Sequence, residues 1–317
     1  MAGASGYILY SGQCPRARRT SASCWPTAGG ARRMDGRAPS NESGSATSEK
    51  SSPGTGWIMP SASACSWATA SGSVWMGAHG TVEEEGGKLR LNRYGRPAQR
   101  VLLCPVGQAT LLDTWNTIGL RGTASDSYTF DNVFIPEAYS SQREDPEGRR
   151  ETGPLYSFTH AGLYAVGVSA VAFGIARAML DALVELATQK TPRNLGRMAD
   201  SPTVQADVAR AEARLGAARA YLLEIVGSLY ERARPEAPMG IPERAQVRLG
   251  CTHAIHTAIE TADYVYKACG VDGIFPGSPF ERRFRDIHTL SQQIQSRGAH
   301  YEAVGHILLG GEPAVFL

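Results

Sequence analysis

The stretch TVQADVARAEARLGAARAYLLEIVGSLYER, residues 203–232, places Val204, Val208, Ala211, Leu215, Ala218, Leu222, Ile225 and Leu229 at alternating steps of four and three. At about 3.6 residues per turn those steps put all eight side chains on one face, which predicts a helix packed in a bundle. Asp200 or Ser201 followed by Pro202 supplies a start signal, because proline's missing N–H costs nothing in a first turn. Helical texture extends on both sides. Residues 161–188 read as one long apolar helix, a third helix runs from about Glu243 to Cys269, a fourth from Pro279 to about Ser296, and a short one from His300 to Leu309. The uncharged run Ala161 to Ala176 falls short of the roughly 20 residues a membrane span needs, so it reads as a buried helix.

Upstream of the bundle the period changes. Ser73–Met76, Arg100–Pro105, Thr110–Trp115, Ser127–Phe130 and Val133–Ile135 are β-prone runs separated by turns such as Arg93-Tyr94-Gly95-Arg96-Pro97. Pro136 closes the last run because it cannot donate to a ladder. Residues 142–153 form a charged connector. Strands followed by helices give an α+β fold: a small central β-domain, 70–152, then a C-terminal four-helix bundle, 153–317.

Residues 1–69 read differently. Their only Ile, Leu or Val residues are Ile8, Leu9 and Ile58, and they hold no Phe. Too little apolar area is available to offset chain entropy, so composition predicts disorder. Two readings account for the segment: translation out of frame from GC-rich coding DNA, which explains the scattered Cys24-Trp25 and Cys65-Ser66-Trp67, or a disordered tail.

The net charge of +2, with no basic stripe interleaved with aromatics, argues against nucleic acid or an anionic membrane as partner. None of the six cysteines forms a C-x-x-C pair, and Met1 to Leu9 lacks a basic-then-apolar leader, so a reducing cytoplasm is expected.

Two stretches carry a family resemblance. Asp113-Thr-Trp-Asn-Thr-Ile-Gly-Leu-Arg-Gly-Thr-Ala-Ser-Asp126, followed by Phe130-Asp-Asn-Val-Phe-Ile-Pro-Glu137, resembles the β-domain signature of acyl-CoA dehydrogenases and their monooxygenase relatives. Ala268-Cys-Gly270, Gly273-Ile-Phe275 and Pro279-Phe-Glu-Arg-Arg-Phe-Arg-Asp-Ile-His288 resemble the family's last glycine loop and Arg-Asp helix, and Glu302, Gly305 and the Leu308-Leu-Gly310 ending fit as well. The resemblance implies a flavin (FAD, or reduced FMN) between β-domain, bundle and a neighbouring subunit, and a homotetramer. The family's N-terminal helical domain, part of its substrate pocket, has no counterpart in residues 1–69.

A dehydrogenase of this family needs a carboxylate to take the α-proton of a thioester. The position where many members carry it is Ile294 here, and no carboxylate occurs between Asp286 and Glu302. The monooxygenase branch often shows Arg-Asp-Ile-His and then Gln-His, matched by Arg285-Asp286-Ile287-His288 and Gln292, with Gln293 where the branch commonly has a catalytic His. An amide donates hydrogen bonds but is no acid or base near neutral pH. The resemblance therefore implies His288 and Gln293 as catalytic residues, with Ser71, Arg121, Thr123, Ser125, Gly270 and Arg285 at the flavin. It also implies a small organic substrate and a separate flavin reductase. The rivals are an FAD-dependent acyl-CoA dehydrogenase and a non-catalytic remnant.

Each assignment has a plainer reading. Arg121 pairs with an acid; Thr123 and Ser125 bond their own turn; His288 lies on the surface; Arg285 and Asp286 form an ion pair; and Gly270 and Gly273 end a helix. Cys251, His253, His256 and Glu260 lie on one helix, with His253, His256 and Glu260 on one face. Without a further ligand they read as bundle interior rather than metal site.

Overall fold

In the computed structural model the described residues are 31–34, 56–59, 62–65, 75–83, 91, 98–131, 133–142, 150–234 and 239–312. The chain forms two compact units: residues 1–116 with 121–148, and residues 117–120 with 149–317.

The first unit is built of strands β1 (Ala31–Met34), β2 (Gly56–Met59), β3 (Ala62–Cys65), β4 (Trp75–Glu83), β5 (Gln99–Pro105), β6 (Thr110–Leu112), β7 (Ser127–Phe130), β8 (Val133–Pro136) and β9 (Ser140–Ser141). One sheet has the order β8-β2-β1-β4-β5-β9 and the other β3-β7-β6. Three strands lie upstream of Ala70, where composition alone predicts none; they join by backbone pairing, such as Trp57 with Ile135 and Ala64 with Tyr128, which needs no apolar side chain. The unit's described core is Ala98, Leu102, Cys104, Tyr128, Phe130 and Ile135, with the rings of Tyr128 and Phe130 edge to face at 5.0 Å.

The second unit is helical: α1 (His160–Gln189), α2 (Pro202–Arg232), α3 (Ile241–Cys269), α4 (Glu281–Ser291) and α5 (Ala299–Leu308). Thr159 caps α1 by accepting from the Gly162 N–H at 3.0 Å. The α2 stripe read from the sequence is the buried one, with Ala211, Leu215, Ala218, Leu222, Ile225 and Leu229 all buried. Helices α1 and α3 carry Ala172, Ala176, Ala258 and Ala262 at their fully buried faces, and such small side chains let backbones approach closely. By length and composition alone α1 could cross a membrane, more than its uncharged run suggested, but its buried side chains pack in the bundle core.

Two helix ends matter for the site. α3 stops at Gly270, whose φ of +62° and ψ of −134° suit glycine alone. The fourth helix is shorter than its sequence pattern suggests: α4 ends at Ser291, and Gln293 is extended, with φ −74° and ψ 148°. Its side chain takes the Gln295 N–H, a local bond that competes with helix continuation.

Candidate functional site

The motif loop 113–126 is closed at its neck by side chains. Asp126 accepts from the backbone N–H groups of Thr114 and Trp115 at 3.0 and 2.9 Å, and the Thr114 hydroxyl accepts from the Ser127 N–H at 2.9 Å. Arg121–Thr123 form a single 3-10 turn in which Arg121 is exposed and Ser125 is buried, with 3.3 Å between the Thr123 and Ser125 hydroxyls. Leu120 and Ala124 flank the turn at φ of 51° and 42°, left-handed values that L residues hold only where surroundings enforce them.

For Leu120 the enforcing group lies in the helical unit, to which residues 117–120 belong. Its N–H donates to Asp286 Oδ1 at 2.6 Å, and the Arg285 guanidinium donates to the Ile118 carbonyl. Gly119 lies so close to α4 that a Cβ there would come within 2.2 Å of the Arg285 carbonyl oxygen. Arg285 also makes a two-pronged pair with Glu281, at 2.5 and 3.0 Å. That hydrogen bond pushes the arginine's pKa up and the Glu281 pKa down. Arg285 and Asp286 thus grip segment 117–120 rather than each other.

His288 sits one turn along α4. Its Nε2 lies 2.9 Å from Asp263 Oδ1 on α3, and its ring rests against Phe284, which stacks in turn on Tyr266. Gly270 lies beside Lys190, whose ammonium donates to the Cys269 carbonyl at 2.6 Å and pairs with Asp272.

Gln293 is only 5% exposed. Its Oε1 accepts from the Gln295 N–H at 2.6 Å, which fixes the amide's orientation; its Nε2 is buried with no partner. A buried donor left unpaired costs about 1–3 kcal/mol, so a ligand acceptor at this atom would relieve a standing penalty. Around it lies a polar layer that sequence reading missed. Arg248, 3% exposed, donates to Gln295 Oε1; His256 Nε2 meets the Ser296 carbonyl at 2.8 Å and His300 Nε2 the Ile294 carbonyl at 2.7 Å. Arg248, Thr252 and His256, four apart on α3, were the available signal: a polar row on an otherwise buried helix face.

The helix group considered for a metal does not assemble. His256 is engaged with Ser296, His253 is exposed against Tyr221, and burial pushes the Cys251 thiol up to about 11. Among the described residues no three potential ligands converge on a metal site. Ser71 lies outside the described residues. Of the remaining flavin candidates, Arg121, Thr123 and Ser125 belong to the sheet unit and Gly270 and Arg285 to the helical unit, as do the catalytic candidates His288 and Gln293.

Residues 166–297 match the family described as acyl-CoA dehydrogenase, C-terminal domain. The chain is 31% identical over 252 residues to indole-3-acetate monooxygenase of Pseudomonas putida, covering 78% of this chain and 62% of that protein. It is 27% identical to the oxygenase component of a FADH2-dependent resorcinol hydroxylase from a Rhizobium species, covering 69% and 58%. It therefore spans about three-fifths of the length of these relatives. In fold it is similar to XiaF from a Streptomyces species in complex with FADH2 and glycerol, with a TM-score of 0.71, 21% identity, and 91% and 68% of the two chains covered. The HsaA monooxygenase of M. tuberculosis is as similar, with a TM-score of 0.72, 21% identity, and 90% and 68% covered. The resemblance read from the Arg-Asp helix and the glycine loop is borne out: residues 166–297 match the acyl-CoA dehydrogenase C-terminal-domain family, and the relatives the chain matches are named as a monooxygenase and a FADH2-dependent hydroxylase.

Proposed function

We propose that this chain is an oxygenase component of a two-component flavin-dependent monooxygenase, acting on a small aromatic substrate with reduced FAD or FMN from a separate reductase. Reduced flavin, when bound, supplies the two electrons with which O2 places one oxygen atom in the substrate and releases the other as water. The observation that carries this reading is the Gln293 amide: a buried, unpaired, acid–base-inert donor beside the position where a dehydrogenase would need its carboxylate. Ile294 occupies that position, which weighs against α-proton removal from a thioester. The aromatic substrate class is supported by the names of the two relatives, indole-3-acetate monooxygenase and resorcinol hydroxylase.

In this reading Gln293 Nε2 donates to a ligand acceptor, and His288, oriented by Asp263, is the group able to hold or move a proton. Arg121 supplies an exposed cation for the flavin's anionic groups, the Thr123 and Ser125 hydroxyls supply polar contacts, and Ser71 adds a further hydroxyl. The Gly270 turn allows close backbone approach. Arg285 serves the cofactor by holding segment 117–120, since its guanidinium is already committed to Glu281 and the Ile118 carbonyl. We place the protein in the cytoplasm as a soluble homotetramer, supported by the buried free thiols of Cys104, Cys251 and Cys269 and by exposed Val271, Ile274 and Phe275 after α3.

Anaerobic titration of the full chain with photoreduced FMN and FAD tests the proposal. Saturable binding of reduced flavin is expected. Reduction of bound oxidised flavin by an acyl-CoA would favour a dehydrogenase, and no binding of flavin in either state would favour a remnant.

A further inference from the structure

We infer that Arg248 is a positioning residue that holds the 293–296 turn so that Gln293 presents its free amide N–H groups to an anionic acceptor, and this rests on the flavin-binding reading above. The connection is continuous. The Arg248 guanidinium donates to the side chain of Gln295, the Gln295 backbone N–H donates to Gln293 Oε1 at 2.6 Å, and that bond leaves Gln293 Nε2 as the buried, unpaired donor. His256 and His300 fasten the flanking carbonyls of Ser296 and Ile294, and Ser296 Oγ donates to the Leu290 carbonyl at 3.0 Å. The turn is thus held by α3 and α5 at three of its residues, while Gln293 alone offers an unpaired side-chain donor.

The charge has its own meaning. A buried guanidinium is ordinarily matched by a carboxylate. Among the described residues the only side-chain partner recorded for Arg248 is a neutral amide, its Nε is buried without a partner, and burial pulls its pKa down while leaving it cationic. An arginine needed only for packing would be satisfied by a nearby acid. One whose side-chain partner is neutral, joined through Gln295 to a buried free donor, adds positive potential to that layer, which favours an electron-rich, anionic acceptor such as reduced flavin over its neutral oxidised form.

The test uses the full chain with Arg248→Met, Arg248→Lys, Gln293→Leu and the Arg248→Met/Gln293→Leu double variant. Two readouts are taken: hydrogen exchange of the 293–296 segment without flavin, and anaerobic affinity for dithionite-reduced FMN. Circular dichroism checks that each variant is folded. Arg248→Met is expected to speed exchange of this segment about tenfold without changing α1, and to weaken reduced FMN about tenfold. Gln293→Leu should weaken it equally, and the double variant no further. Arg248→Lys should stay within about twofold of the parent for FMN. Unchanged exchange in folded Arg248→Met, or additive losses in the double variant, overturns the inference. Faster exchange in a protein whose parent binds no reduced flavin would retain the positioning role and defeat the flavin reading instead.

Discussion

At the level of single residues the account turns on side chains whose polar atoms are placed but not used up. Gln293 is fixed at one end by Gln295 and free at the other. Replacing it with His would add a titrating group: in Gln293→His the effect of the protein on reduced-flavin oxidation should show a pH dependence near the ordinary imidazole range that differs from the parent's and persists in Gln293→His/His288→Gln, read by stopped flow across pH 6 to 8 (about the imidazole midpoint). His300 gives a prediction in folding. Burial, and next the charge of Arg248, hold its pKa below the ordinary 6.5. Below about that pH the unfolded chain binds a proton the folded chain refuses, so stability should fall as pH drops through this range and level off once the folded imidazole titrates. Urea melts at stepped pH should show that slope, reduced in Arg248→Met and absent in His300→Gln. Gly119 has no room for a side chain against the Arg285 carbonyl. Gly119→Ala should lower stability by about 1–3 kcal/mol as an overpacking change, measured by thermal melting.

At the level of elements, most of the helices were legible because they carry their own period. The stripe from Val204 to Leu229 marked α2 to within a residue of its observed start, and Gly270 marked the end of α3. Leu183 shows what that packing is worth: it is fully buried, and Leu183→Ala should cost about 2–5 kcal/mol in a chemical melt. The end of α4 was not legible. Nothing in the periodicity of residues 279–296 shows that Gln293 will bond Gln295, or that Arg248 and His256, more than thirty residues upstream, will anchor the turn. Arg248 was passed over for a related reason. An arginine on a helix ordinarily reads as a solvated charge, and the spacing it shares with Thr252 and His256 gains meaning only when packing shows that row inside. The motif loop was half legible: its residues carried the resemblance, but its assignment to two units, with 117–120 gripped by Asp286 and Arg285, is a tertiary fact. The strands before Ala70 escaped the reading because backbone pairing leaves no hydrophobic trace.

At the level of the whole molecule, a chain spanning about three-fifths of its curated relatives carries the helical unit and strands of the sheet unit. Its exposed apolar residues after α3, Val271, Ile274 and Phe275, predict association. Light scattering should report an oligomer for the parent, four copies if the proposed tetramer holds, and a smaller species for Ile274→Asp/Phe275→Asp. The central claim is that the molecule binds reduced flavin where Gln293 offers its free donor, and stopped-flow oxidation of reduced FMN and FAD with and without the protein tests it most directly. The account predicts that the protein alters the time course of oxidation by O2 and that Gln293→Leu returns it toward that of free flavin. Oxidation in the protein's presence at the unaltered rate of free flavin would contradict it.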